Sequence, residues 1–306
     1  MKLSMDKKLR PSIFKRSLAL LIDMVALGIV GYISGLFLED FYVSLGSYGT
    51  LVGSTVTILY FSVLQSKIGK GQSMGKMVIG AKVTDLHGQY LTFEKSLLRS
   101  FILFFPIMNV EIFSSGDGMI VVVMLLVLSF FASLYFILVN KSRRCLHDLL
   151  VPSIVTNQDV SEIQVDELND RSLKKIIPIA AIGAVMIGMG LYTTFTENRL
   201  HELLEVKKRI EDKEGVIIVN EVKSGRTTYS RPNEPSETYT FVSITVRVSN
   251  KEEASTNSSL FKECYDIIRK EIPEAEKVDR VTISLYYGYN IGIASSTRKV
   301  TKTFER

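Results

Sequence analysis

SLALLIDMVALGIVGYISGLFL, residues 17–38, is the stretch whose reading decides the fold. It is apolar and long enough to cross a hydrocarbon core of about 30 Å as a helix. Asp23 is its one formal charge. A carboxylate near the middle of a spanning helix costs about 2.5–3.5 kcal/mol, so it is expected to have a partner or a task. Arg16 lies two helical turns earlier on nearly the same face, and the spacing predicts that it sits near Asp23.

The rest of the chain divides into unlike halves. Residues 1–195 carry several long apolar runs, whereas 196–306 carry none and nearly balance their charges, 19 Lys/Arg against 18 Asp/Glu. The net charge of +5 therefore arises mostly in the apolar half. It reads as membrane topology, not as nucleic-acid binding. Cys145 and Cys264 fall on opposite sides of the expected membrane, which excludes a disulfide, and no Cys/His metal spacing is present. The basic start MKLSMDKKLRPSIFKR resembles a signal-peptide n-region. The run behind it is too long and lacks a small-residue cleavage site, so an uncleaved first span is expected.

Four segments have spanning length: 17–38, 47–65, 119–139 and 176–195. A fifth, 93–113, contains Pro106 and Glu111 and reaches that length only if its helix starts near Phe93. Lys and Arg alternate between the connections. There are six before the first span, none in 39–46, six in 66–100, none in 114–118 and six in 140–175. The positive-inside rule accounts for this if 93–113 crosses. The expected fold is thus a polytopic α-helical membrane protein of about five spans, N-terminus in the cytoplasm, with a C-terminal extracytoplasmic α+β domain. The expected divisions are 1–157 helical, 158–175 an acidic cytoplasmic linker, 176–195 an additional span and 196–306 the outer domain. Gly28, Gly31 and Gly35, then Gly49 and Gly53, then Ala180, Ala184 and Gly188 make small-residue faces. Such faces serve helix packing within the chain or a homo-oligomer.

Two cytoplasmic stretches are more specific than any span. GQSMGKMVIGAKVTDLHGQYLTFEKSLLRS, 71–100, reads as a tight turn bracketed by Gly71 and Gly75, then a short extended segment ending at a Gly88 turn. RRCLHDLLVPSIVTN, 143–157, follows the 119–139 span. With Arg16 and Asp23 these stretches resemble the RDD family of bacterial membrane proteins over roughly residues 10–157. In that resemblance Arg16 is the family arginine, Asp23 the first aspartate, and Asp148, behind Leu146-His147, the second. Gly71, Gln72, Gly75 and Lys76 match a G-Q-T-x-G-K turn, with Ser73 in place of Thr, and Arg99 matches a further arginine. The resemblance implies a multi-span protein of the cell membrane. Transport, including cation/proton exchange, has been proposed for the family.

Two functions follow as expectations. In the first, Asp23 near Arg16 exchanges protons or small cations, with Asp148 and His147 completing a cluster at the cytoplasmic face. In the second, the chain transports nothing and acts as a membrane-anchored sensor or assembly factor through an unknown extracytoplasmic partner. A wet polar path to Asp23 favours the first; a dry, fully paired cluster favours the second. An enzyme is not expected. The glycine loop is not a Walker A, and HExxH is absent. His147 beside Asp148 is not expected to form a base with its orienter, since chain neighbours rarely face each other. No cofactor or metal is expected.

In the outer domain, 197–213 is an amphipathic helix. VIIVNEV at 216–222 and YTFVSITVRV at 239–248 are strands, the second with Val242, Ile244, Val246 and Val248 on one face. Residues 257–272 form a helix stopped by Pro273, with Cys264 on its apolar side. Val281 to Tyr287 alternate, and 291–304 supply a last strand. The order helix, β-β-α-β-β predicts a small antiparallel sheet with one face covered, and Tyr286 pointing away from the core.

Overall fold

The computed structural model describes residues 11–113, 144–157, 199–229, 237–271 and 278–305. Two of its helices are long and apolar enough to cross a membrane. The first, α1 (Ile13–Ser44), has 32 residues and a kink at Leu38. Leu21, Val25, Ile29, Val30, Ile33, Leu36 and Phe37 are exposed along it, an apolar surface of the kind lipid covers. The second begins with a 3₁₀ turn at Gly46–Tyr48 and continues as α2 (Gly49–Leu64). The expected spans 119–139 and 176–195, and the linker 158–175, lie outside the described residues.

The expected crossing at 93–113 is not one helix. α4 (Phe93–Met108) is 16 residues, about 24 Å, and ends at Asn109 before a short α5 (Val110–Phe113). Asn109 turns its amide back onto the Phe105 carbonyl and accepts from the Thr50 hydroxyl, so the chain breaks at a buried polar hinge. Five spans are therefore not seen among the described residues.

Between α2 and α4 lie α3 (Met74–Val78) and β1 (Ala81–Asp85). The extended segment thus starts after Gly80, and α3 takes the residues behind Gly75 where an extended run is expected from sequence. β1 pairs antiparallel with β2 (Ser153–Asn157), which follows α6 (Leu146–Leu150). This ribbon buries Ala81, Val83 and Val155 with Leu91.

The described chain falls into two compact units. The first holds residues 1–34, 50–192 and, unexpectedly, 291–294. Its helical core is Leu27, Ile58, Phe61 and Phe104, with the Phe61 and Phe104 rings stacked 4.6 Å apart.

The second unit holds 35–49, 193–290 and 295–306. It contains α7 (Arg199–Glu211), β3 (Val216–Tyr229), β4 (Glu237–Val248), α8 (Leu260–Glu271), β5 (Arg280–Asn290) and β6 (Ser295–Glu305). The sheet order is β3-β4-β5-β6. It is not wholly antiparallel: β4 and β5 run parallel, because α8 carries the chain back across the sheet between them. β3 continues to Tyr229, beyond the apolar run that suggested it, because β4 pairs with the polar half as well. Val242, Ile244, Val246, Ile283, Leu285, Phe261, Cys264 and Ile268 are fully enclosed. Tyr286 is buried, not outward, and its hydroxyl accepts from Arg247 Nε at 2.8 Å. Tyr287 donates to Asp40 and Tyr289 packs on Tyr42, both from the end of α1.

Candidate functional site

Asp23 faces into the first unit and is fully enclosed. Three donors hold it. The Tyr60 hydroxyl donates to Oδ1 at 2.7 Å, the Gly75 amide to the same oxygen at 2.8 Å, and the Ser73 hydroxyl to Oδ2 at 2.6 Å. Met74 N donates to the Tyr60 oxygen, closing the network. The glycine motif is shaped for this approach. A Cβ on Gly75 would lie 1.9 Å from the Ala19 carbonyl oxygen, one turn before Asp23, so only glycine lets α3 reach α1. Gly71 adopts φ +73°, and a Cβ there would meet the Val83 carbonyl. Gln72 donates to the Ala81 carbonyl and fixes the motif to β1.

Arg16 is not among the groups bonded to Asp23. Its Nη2 donates to the Val155 carbonyl at 3.1 Å, and its charge acts on Asp148. The expected Arg16–Asp23 pair is corrected accordingly. Both residues lie on α1, but side chains two turns apart can leave in different directions, one to β2 and one to α3.

Asp148 forms a second buried cluster, this one with an arginine. Arg99 Nη2 lies 2.8 Å and Nε 2.9 Å from Asp148 Oδ1, and both side chains are almost wholly enclosed. Ser153 Oγ donates to the same oxygen, and Cys145 N to Oδ2. Arg99 Nη1 donates to Gln65, and Nη2 lies 3.2 Å from His147 Nε2. Arg144 donates to the carbonyls of Asp148 and Ser153, tying α6 to β2. His147 Nε2 lies 3.6 Å from Asp148 Oδ1, beyond hydrogen-bond reach, as both side chains turn toward Arg99.

Burial alone would raise the Asp148 carboxyl. The Arg99 guanidinium, with Arg16 behind it, more than cancels this and holds it well below the usual carboxylate range. Burial pushes His147 down to about 4, so it is a neutral acceptor for Arg99 at neutral pH. Burial pushes the Cys145 thiol up to about 12, which leaves it unreactive. Lys76 is half-buried, with Nζ 5.7 Å from the centre of the Phe61 ring. Burial, then the Arg99 charge, pull it down to about 7, against Asp23 and Asp148, which hold it up. Among the described residues it makes no ion pair.

Cys145, His147 and Asp148 bring their ligand atoms within 4.8 Å of one another. They do not suit a metal ion, because the Arg99 guanidinium already occupies the Asp148 oxygen and faces the His147 nitrogen. Tyr60, Gln65, Arg144 and Ser153 belong to the site beside Ser73 and carried no signal of that role in the sequence. Ser73 alone carried a signal, as the hydroxyl standing where the motif has threonine.

The first unit thus combines helices apolar enough to cross a membrane, an enclosed aspartate on the first of them and a buried Arg–Asp pair. The RDD family model matches residues 10–151, and that segment belongs to the RDD family, whose members are membrane proteins. No family covers the C-terminal domain. No curated protein and no solved structure matches the chain.

Proposed function

We propose that this RDD membrane protein is an anchored sensor or assembly factor working through its C-terminal sheet unit, and that Asp23 is a fastener, not an exchanging group. The enclosure of Asp23 carries this reading. Its oxygens take three protein donors, two of them the Ser73 and Tyr60 hydroxyls. A hard cation asks for about six oxygen ligands. The proposal includes five spans in a bacterial cell membrane, a cytoplasmic N-terminus and an extracytoplasmic sheet unit. The alternation of Lys and Arg between the apolar segments supports that topology.

One observation favours transport as a second reading. Lys76 has no ion-pair partner among the described residues, feels both carboxylates, and titrates near 7. The test is the protein in liposomes with a trapped pH dye under imposed Na⁺, K⁺ and Li⁺ gradients, beside Asp23→Asn and Lys76→Met. The proposal expects no cation-driven proton flux. Flux lost in Asp23→Asn would overturn it. Flux retained there and lost in Lys76→Met would establish the second reading.

A further inference from the structure

Residues 291–294, Ile-Gly-Ile-Ala, join β5 to β6, yet they cluster with the helices of the first unit. Hairpin ends that face water favour Asn, Asp, Ser and Pro. This one is apolar. Ile291 N donates to the Ala294 carbonyl at 3.0 Å, and Gly292 takes φ +81°, so the turn is tight. Ile291 is 1% exposed, and Ile293 packs on the Leu27–Ile58–Phe61–Phe104 core.

Glycines on α1 and α2 shape the seat. A Cβ on Gly53 would lie 1.7 Å from the Ile291 carbonyl oxygen. One on Gly31 would lie 2.9 Å from Ala294 Cβ, and one on Gly28 3.6 Å from the Ile293 oxygen. None of the three has a positive φ, so close approach, not backbone freedom, requires glycine there. The faces that sequence assigns to helix–helix packing thus receive the chain's own hairpin.

We propose that residues 291–294 are a removable wedge seated between α1 and α2, by which a pull on β5 or β6 is passed to those helices. This holds under either functional reading, and its failure would leave the flux result untouched.

The test uses full-length protein in detergent with Cys145→Ser and Cys264→Ala. Gly31→Cys with Ala294→Cys is expected to form an intramolecular disulfide under mild oxidation, since the two Cβ positions need to part only slightly. Ile291→Cys alone, and separately Thr50→Cys on α2, are expected to resist a water-soluble maleimide, since both positions are buried. Adding Ile293→Asp is expected to raise labelling at both positions about tenfold, as local opening does. Gly53→Ala is expected to do the same without introducing a charge.

Failure of the disulfide, or free labelling of Ile291→Cys without a second substitution, would overturn the seating. Unchanged Thr50→Cys labelling when the wedge is expelled would overturn the coupling to the helices. A Cys264 retained as a reporter in the Ile293→Asp chain separates expulsion, which leaves it protected, from global unfolding. In the latter case Gly53→Ala and the disulfide decide.

Discussion

Arg99 and Asp148 are both out of water, and removing either strands the other. Arg99→Ala is expected to destabilise the protein by about 3–5 kcal/mol, seen as a large fall in Tm in detergent. An unchanged Tm would mean that the pair is wetted. His147 adds acid sensitivity. The folded chain holds it at about 4 and the unfolded chain at its ordinary 6.5, so between those values the unfolded state binds the extra proton. Its contribution, roughly 3 kcal/mol, is complete above pH 6.5 and is lost as pH falls toward 4. His147→Gln keeps an acceptor for Arg99 and should flatten Tm against pH in that window. Lys76 has the same sign in another window. Folded it titrates near 7 and unfolded at 10.5, so stability rises with pH between the two. Lys76→Met removes a partly desolvated charge from beside Arg99. It should raise stability at pH 6 by about 1–4 kcal/mol, seen as a higher Tm, and abolish the alkaline rise.

Elements were legible where one periodicity governs them. α1 and α2 follow from the length of their apolar runs, and α7, α8 and the alternating strand β4 from apolar spacing, because each of these three buries a single stripe or face. Legibility failed where a distant partner decides. β2 was passed over because its five residues make a strand only against β1, some 70 positions earlier. The polar end of β3 is a strand only because β4 extends alongside it. In the candidate site the motif residues were readable and their partners were not. Asp23 takes Tyr60 from α2 and Ser73 from just before α3, and nothing in the spacing of Arg16 and Asp23 reveals that the two side chains diverge. The motif glycines allow a test at this scale. At Gly75 a Cβ meets backbone at 1.9 Å, so Gly75→Ala must push α3 off α1 and loosen the Ser73 and Gly75 bonds to Asp23. Gly80 has nothing within 4 Å of its would-be Cβ, and only its φ of +66° opposes a side chain. Gly75→Ala is expected to cost at least about 3 kcal/mol and Gly80→Ala about 1 kcal/mol, compared by Tm. Equal effects would mean that the approach of α3 to α1 is slack.

At the scale of the whole molecule, chain order and structural membership disagree, and the disagreement can be measured. A division drawn from sequence puts residue 291 with the C-terminal sheet. The structure puts it in the helical unit, 1% exposed. The two native cysteines happen to report on the two units separately. Cys145 lies in the first and Cys264, fully buried on α8, in the second. A chain with two units need not unfold in one step, so each thiol can have its own transition. Ile291→Ala deletes buried methylenes and should cost about 2–5 kcal/mol. If Ile291 belongs to the helices, heating with a thiol-reactive dye should show the Cys145 transition moving down in a Cys264→Ala background. The Cys264 transition, read in a Cys145→Ser background, should stay in place. Val242→Ala, on β4 in the sheet core, should do the reverse. If Ile291→Ala moved the Cys264 transition and spared that of Cys145, the hairpin tip would belong to the sheet, and both its membership of the helical unit and the wedge would fall with it.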